Sequence, residues 1–377
     1  MDAFRKMGGP LQGRFMCGKD LERIAGAMPL EIRMSAQSAI HMTSAKASNV
    51  VALRPQVALT HQRGSRHIDL KPKYGSDSSQ VEVRYLWAGA AHAPTVVVQG
   101  GISADRDVFT LEGRSGWWQD LVGEGKAIDL RHCRVLCIDW LVPADFEGQS
   151  LTAVSTEDQA DALAGLLSEL GIDAVEAFVG YSFGAMTGLA FAQRHPDRLG
   201  QLLMFSGAHR AHPMATAQRS IQRQIVRMGL ASGQQELALS LARQLAMTTY
   251  RGSEEFGRRF AAAPEFREGR FQFPVEDYLS HVGRKFVERF DVERFLALSE
   301  AIDLHDINPE SIRVPVTLIG IASDRLVPLA DLCELQSRLR GAALEVIDSP
   351  YGHDATLKEA TKVAPLLRQA LNCCCGV

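Results

Sequence analysis

Apolar residues along this chain fall into short unbroken runs, separated by longer stretches with a helical period. The runs include Thr95-Val96-Val97-Val98, Val135-Leu136-Cys137-Ile138, residues 175–179, Leu202-Leu203-Met204-Phe205, residues 316–319 and Leu344-Glu345-Val346-Ile347. Continuous β-branched runs of this kind predict strands buried on both faces of a parallel sheet. Upstream, residues 67–87 predict two strands, and residues 80–86 alternate in polarity as an antiparallel edge hairpin does. Between the runs lie helices. Thr156-Glu157-Asp158-Gln159 has capping-box form and predicts a helix through Leu170, ended by Gly171. Its stripe of Leu163, Leu166, Leu167 and Leu170 supplies a buried face. Strand and helix in succession predict a doubly wound α/β domain.

The alternation breaks between residues 213 and 308. Helical patterns cover residues 221–228, 235–247, 253–260, 275–290 and 292–300, and no strand pattern interrupts them. An all-helical insertion between two core strands predicts a lid over the sheet edge, which would keep water from a reactive intermediate. The expected organisation is therefore a core of residues 46–212 and 309–377 with a helical lid at 213–308. Residues 1–45 show no clear periodicity and read as a poorly ordered extension.

Composition narrows the function. A chain of 377 residues has room for one large α/β domain with an insertion. With 46% hydrophobic and 23% charged residues it reads as a soluble globular protein. A net charge of -3 gives no electrostatic case for nucleic acid or a membrane surface. No apolar run is long enough to span a bilayer, and the order of regions of a secretory signal is missing. Seven cysteines without a spaced framework predict reduced thiols and a cytoplasmic setting. Cys133 and Cys137 read as core residues. Cys373-Cys374-Cys375 reads as a frayed tail, since no second ligand cluster accompanies it. No metal or organic cofactor is expected.

The chemistry centres on Gly180-Tyr181-Ser182-Phe183-Gly184. An apolar strand precedes it and a helical stretch rich in small residues follows. A strand that turns sharply into a helix pushes one side chain out over the sheet edge, and flanking glycines relieve the strain. The helix N-terminus then favours negative charge beside the reacting atom. Ser182 is accordingly the candidate nucleophile. A serine hydroxyl needs a base, and the base needs an orienting acid. In the α/β-hydrolase order Ser, Asp, His, Asp324 follows the strand at 316–321 and His353 follows the strand at 344–347. Asp303 and Asp306 are the fallback acids. His195, His209, His212, His281 and His305 are the rival histidines, set aside for their chain order or their setting. The oxyanion hole requires two backbone N–H groups. One is expected from Phe183; the other is expected from the loop Gln99-Gly100-Gly101-Ile102-Ser103.

Several segments together carry a resemblance. They are Gly116-Trp117-Trp118 with Gly123-Glu124-Gly125-Lys126-Ala127-Ile128-Asp129; the Ser182 turn; residues 215–223; Phe273-Pro274-Val275-Glu276-Asp277-Tyr278-Leu279; and Tyr351-Gly352-His353-Asp354. Over residues 65–370 the chain resembles the homoserine O-acyltransferase family of the α/β-hydrolases, most nearly its succinyl-CoA-using members. The resemblance implies an α/β-hydrolase fold, a mostly parallel sheet with helices on both faces and an inserted lid. It implies acyl transfer from acyl-CoA to the hydroxyl of L-homoserine, an early step of methionine synthesis. By position, Ser182, Asp324 and His353 are then the triad, and Ile102 gives the second oxyanion N–H. Arg223 would hold the amino-acid carboxylate and Asp354 its ammonium. The family commonly pairs through its lid helices, so a homodimer is expected. The chain departs from the pattern at Gly184-Ala185-Met186, where many relatives carry a second glycine. It departs again at Asp139-Trp140-Leu141-Val142-Pro143, where many carry a glycine-containing loop.

A succinyl donor has a free carboxylate, and Arg106, after the oxyanion turn, is the candidate cation, with Arg114 second. The alternatives are an acetyl donor, L-serine as acceptor, hydrolysis of an ester or thioester by the same triad, and a non-enzymatic binding scaffold. One methylene of difference in the acceptor is worth only about 1–3 kcal/mol, so serine and homoserine are not separated at this level. The last alternative would require a broken triad, and none of its positions is broken.

Overall fold

The computed structural model describes residues 58–148 and 151–375; the extension expected over residues 1–45 lies outside them. Strand β1 (Leu59–Leu70) pairs antiparallel with β2 (Ser79–Ala90). Next come β3 (Thr95–Gln99), a small parallel pair β4 (Val122–Gly123) and β5 (Ile128–Asp129), and β6 (Arg134–Ile138). Then follow α1 (Thr156–Glu169), β7 (Val175–Tyr181), α2 (Phe183–Arg194) and β8 (Leu199–Phe205). Between β8 and the next core strand lie α3 (Pro213–Ala231), α4 (Gln235–Tyr250), α5 (Ser253–Arg259), a hairpin of β9 (Glu265–Arg267) and β10 (Arg270–Gln272), α6 (Pro274–Val287) and α7 (Val292–Asp303). The chain ends its described part with β11 (Val316–Ile321), α8 (Leu329–Arg338), β12 (Ala343–Ile347), α9 (Ala355–Lys358) and α10 (Ala360–Cys375).

Eight strands form one sheet in the order β1-β2-β6-β3-β7-β8-β11-β12. From β6 to β12 all neighbours are parallel, while β1 and β2 add an antiparallel edge. Successive side chains of a strand point to opposite faces, and both faces here are covered. Val97, Leu136, Phe178 and Leu318 pack in the layer with α1 and α2. Val96, Val98, Val179 and Ile319 pack on the other face with Val363 and Leu367 of α10. The unbroken apolar runs of β3, β6 and β7 follow from this two-sided burial.

Some expectations change. The capping box of α1 starts one residue earlier: the Ser155 hydroxyl accepts from the Asp158 amide at 3.1 Å, and the Asp158 carboxylate accepts from the Ser155 amide at 2.7 Å. Gly171, with φ of 67°, follows the helix in the left-handed conformation. β12 is not buried on both faces; it is the sheet edge, and Val346 is 51% exposed. The inserted region is not all-helical, because β9 and β10 form a small hairpin. Its residues are nearly all exposed, so no burial pattern marks it in the sequence. The helix α10 continues through Cys375, where a frayed tail was expected. Cys133 and Cys137 are buried. No helix among the described residues is long and apolar enough to cross a membrane.

Candidate active site

Ser182 stands between β7 and α2 with φ of 56° and ψ of -114°, a conformation that a non-glycine residue adopts at a cost of order 1–3 kcal/mol. The turn is possible because of its neighbours. A Cβ on Gly180 would lie 2.4 Å from the carbonyl oxygen of Gly184, and a Cβ on Gly184 would lie 2.2 Å from that of Gln99. The Ser182 amide donates to the carbonyl of Phe205 on the adjacent β8 at 2.8 Å, so the sheet itself holds the strained residue.

Two loops bring the other members. Asp324 follows β11, and His353 sits in a single 3-10 turn after β12. His353 Nε2 is 2.8 Å from Ser182 Oγ, and His353 Nδ1 is 2.7 Å from Asp324 Oδ2. A carboxylate can only accept, so Nδ1 carries the proton and Nε2 is left to accept from the serine. The second Asp324 oxygen accepts from the amides of Leu326 (2.9 Å) and Val327 (3.1 Å), which fixes the carboxylate. The Ser323 hydroxyl donates to the Ser349 carbonyl at 2.5 Å and accepts from the Gly352 amide at 3.1 Å, which ties the two loops together. Burial opposes charge on the His353 imidazole, but the Asp324 carboxylate outweighs it and holds the pKa above the ordinary histidine value. Burial raises the phenol of Tyr181 far above its usual range; the charges of Asp354 and Asp324 add to this and the Arg243 cation opposes it. Tyr181 therefore stays neutral, and its hydroxyl donates to the His353 carbonyl at 3.1 Å.

Phe183 is the first residue of α2, where a helix leaves its backbone N–H groups without intrahelical partners. The opposing loop is pinned at several points. The Gly184 amide donates to the Gly100 carbonyl at 2.9 Å, Trp140 Nε1 donates to the Gly101 carbonyl at 3.0 Å, and the Gln99 side chain accepts from the Ile138 amide at 2.9 Å. Ile102 packs against the cluster formed by Trp140, Phe183 and lid residues such as Val226 and Leu239. The loop thus faces the turn at Ser182 in a fixed position, which is what stabilisation of a developing oxyanion requires.

The expected substrate residues are less simply arranged. Arg223 is buried, and its Nη1 donates to Asp303 Oδ2 at 2.6 Å and to the Ser299 carbonyl and hydroxyl at 3.0 and 3.1 Å. It does not line the narrow pocket that contains Ser182 and His353. Arg219, one turn earlier on α3, does line it, together with Tyr250, His212 and Asp331. Arg219 holds the other Asp303 oxygen through Nε (2.8 Å) and Nη2 (2.6 Å). Arg210 lines the pocket too, paired with Glu334 at 2.9 Å; on α3 the pocket-lining arginine is Arg219 rather than the expected Arg223. Residues four apart share a helix face, so the pattern alone did not separate the two. Asp354 is beside His353 in sequence, but its carboxylate lies 2.9 Å from Arg251 Nε rather than in the pocket; the acidic side chain on the pocket wall is Asp331. Arg106 is held by Asp139, through its amide at 2.9 Å and through Nη1 at 2.5 Å, so its guanidinium is already paired. Arg114 is exposed. Of the rival histidines, His195 meets Asp161 at 2.9 Å, and His305 is buried against Thr156 Oγ1 at 2.7 Å. Of the fallback acids, Asp303 serves the two arginines. Ser206, also on the pocket wall, has a buried hydroxyl without a hydrogen-bond partner. Among the described residues no group of three or more His, Cys, Asp or Glu is placed to hold a metal.

A serine on a strand-to-helix turn, bonded to a histidine that is bonded in turn to an aspartate at the carboxyl edge of a parallel sheet, defines an α/β-hydrolase-fold protein built for nucleophilic chemistry. Comparison with known proteins agrees: the alpha/beta hydrolase fold family matches residues 94–360. A homoserine O-succinyltransferase of Xanthomonas campestris pv. campestris is 45% identical, over 82% of this chain and 84% of its own. A homoserine O-acetyltransferase of Geobacter metallireducens is 31% identical, over 78% of this chain and 87% of its own. The crystal structure of esterase E22 superposes with a TM-score of 0.72 at 17% identity, over 83% of this chain and 99% of that one, which shows the shared fold. The chain belongs to the homoserine O-acyltransferase family.

Proposed function

We propose that the protein transfers an acyl group, succinyl in preference to acetyl, from acyl-CoA to the side-chain hydroxyl of L-homoserine, in methionine synthesis. The observation that carries this reading is the hydrogen-bonded series Ser182, His353, Asp324 beneath an inserted lid whose Arg219 lines the Ser182 pocket. The 45% identity to a homoserine O-succinyltransferase supports the choice of acyl group.

In the first half-reaction His353 Nε2 takes the proton of Ser182 as Oγ attacks the thioester carbon. The amides of Phe183 and Ile102 receive the oxyanion, and the thiol of CoA leaves with the proton from His353. In the second half the homoserine hydroxyl gives its proton to His353 and attacks the acyl-serine, and Ser182 is regenerated. Arg219 receives the acceptor carboxylate through Nη1, the nitrogen that its bonds to Asp303 leave over, in the role first expected of Arg223. Asp331 receives the ammonium, in the role first expected of Asp354. Because the acyl group rests on Ser182 between the halves, the kinetics are ping-pong. No metal or organic cofactor enters these steps.

The same reading includes a cytoplasmic setting and a second copy of the chain paired through the lid. Met214, Ile221 and Met228 lie seven residues apart on α3 and are 60%, 52% and 73% exposed. A seven-residue spacing returns to the same side of a helix, so these side chains form an uncovered apolar line.

Mass spectrometry after incubation with acyl-CoA alone tests the mechanism. The expected result is a gain of one acyl mass, located on Ser182, and its discharge on adding homoserine. An unmodified protein that still makes acyl-homoserine would exclude the covalent route. Free acid formed at one rate with or without homoserine would make the protein a hydrolase.

A further inference from the structure

Among the described residues four non-glycine positions have positive φ: Glu112, Ser182, Ser206 and Glu268. The two glutamates are exposed turn residues. The two serines both line the narrow pocket of the nucleophile. Ser206 follows directly on β8, with φ of 49° and 1% exposure. Its backbone is tied to the nucleophile's turn. The carbonyl before it, of Phe205, accepts from the Ser182 amide at 2.8 Å, and its own amide donates to the Ile319 carbonyl of β11 at 3.0 Å. A Cβ on the following Gly207 would lie 2.5 Å from the Ala185 Cβ and 3.2 Å from the Ser182 carbonyl oxygen. The chain after β8 thus passes directly against the turn of Ser182.

The Ser206 hydroxyl is buried and has no hydrogen-bond partner. An orphaned buried hydroxyl and a strained backbone each cost stability. Two such costs at one residue beside the nucleophile point to a partner that arrives with the substrate. Several other polar groups of the pocket wall are already engaged. His353 Nε2 meets Ser182, His212 Nδ1 accepts from the Met214 amide at 3.2 Å, and Arg210 and Arg219 hold Glu334 and Asp303.

We propose that the Ser206 hydroxyl donates to the attacking oxygen of the acceptor alcohol and so positions it in the second half-reaction. The inference rests on the acyl-transfer reading above. An alcohol oxygen has one proton and two lone pairs. The proton goes to His353 Nε2, and one lone pair forms the bond to the acyl carbon. The other lone pair is left for a single donor, which is Ser206. As the new ester bond forms, the bond from the acyl carbon to Ser182 Oγ breaks, and His353 returns the proton to Oγ. The first half-reaction makes a different demand. There the leaving sulfur of CoA stands where the acceptor oxygen stands later, since each exchanges with Ser182 Oγ at the same acyl carbon and through the same base. Sulfur is a weak acceptor, so Ser206 contributes little to acylation and favours an oxygen nucleophile.

Rapid mixing separates the two half-reactions. Formation of the acyl-enzyme from succinyl-CoA and its discharge by subsaturating L-homoserine are timed for the native chain, Ser206→Ala and Ser206→Gly, and melting temperatures are measured beside them. Glycine is included because it tolerates the backbone at this position. Discharge should slow by about 5-fold or more in both variants, as loss of one hydrogen bond predicts, while acyl-enzyme formation changes little. Ser206→Ala should melt no lower than the native chain, because it removes an orphaned group. Unchanged discharge overturns the proposal. So does an equal slowing of both half-reactions, which would assign Ser206 to the machinery they share or, with a lower melting temperature, to the fold. If the native chain itself forms no acyl-enzyme, or discharges it no faster with homoserine, the acyl-transfer reading fails and this inference falls with it, which keeps the two failures distinct.

Discussion

The amide of Gly184 donates to the carbonyl of Gly100 at 2.9 Å. One hydrogen bond thus joins the turn that carries the nucleophile to the loop that faces the developing oxyanion. The approach is close because residue 184 has no side chain: a Cβ there would stand 2.2 Å from the Gln99 carbonyl oxygen and 2.8 Å from that of Gly100. Gly184→Ala must push the loop away. We expect a loss of stability of about 1–3 kcal/mol, as for other overpacked sites, and a fall in acylation rate of about 10²-fold or more, as for loss of an oxyanion donor. Thermal denaturation and single-turnover acylation measure the two separately. Wild-type acylation in a folded Gly184→Ala variant would mean that this spacing does not set the rate.

The raised pKa of His353 fixes the direction of a pH effect. The base works only when neutral, so kcat/KM should decline on the acid side with a midpoint above the ordinary histidine value of 6.5. Asp324→Asn should move that midpoint down and lower the plateau by about 10⁴-fold, because the favoured tautomer is lost with the carboxylate. The same shift has a stability sign. A folded pKa above the unfolded one contributes stability that is complete below about 6.5 and is lost as pH rises through the folded value. A kinetic midpoint below 6.5 in the native chain would mean that the Asp324 carboxylate does not outweigh burial at His353.

His305 shows the opposite sign. Burial holds its pKa down to about 4, and its Nδ1 meets Thr156 Oγ1 at the start of α1. The unfolded chain therefore takes up this proton first. The contribution is intact above about 6.5 and is lost as pH falls toward 4, by about 3 kcal/mol at most. The difference in melting temperature between the native chain and His305→Gln should shrink across this window. A constant difference from pH 7 to pH 4 would remove His305 from the acid response.

Asp303 serves two arginines at once, Arg219 through one oxygen and Arg223 through the other. Asp303→Asn leaves two poorly solvated cations uncompensated and should cost about 3–5 kcal/mol. The two arginines should separate by kinetics. Arg219→Lys should raise KM for homoserine by ~10-fold or more, well beyond any change in the rate of acyl-enzyme formation, since a point-charge ammonium replaces a planar fork that can hold Asp303 and the substrate carboxylate together. Arg223→Lys should act mainly on thermal stability. The reverse pattern would return Arg223 to the substrate.

Much of this site was legible in the chain because it is written in local signals. The runs at 95–98, 135–138 and 175–179 are apolar at every step, as two-sided burial demands. The glycines at 180 and 184 announce a backbone that only a turn between strand and helix requires. Ser182, Asp324 and His353 could be found by their order and by their place after strands, since open parallel sheets gather their functional groups at the carboxyl edge. The hairpin of β9 and β10 was not legible, because three-residue strands with exposed side chains carry no hydrophobic alternation. For Arg106 and Arg223 the structure adds what no local pattern carries: each is bound to a carboxylate.

By itself the sequence determined the α/β plan, the inserted lid and the three residues of the hydrogen-bonded Ser182, His353, Asp324 series, because periodicity, glycine placement and chain order are properties of neighbouring residues. Only the tertiary structure decided which carboxylate each arginine meets and which arginine lines the pocket of Ser182. Asp303 lies 84 and 80 positions from the arginines it binds, and Asp139 lies 33 from Arg106. The charge a side chain offers is set by the partners that folding places within a few ångströms, and no local pattern encodes them.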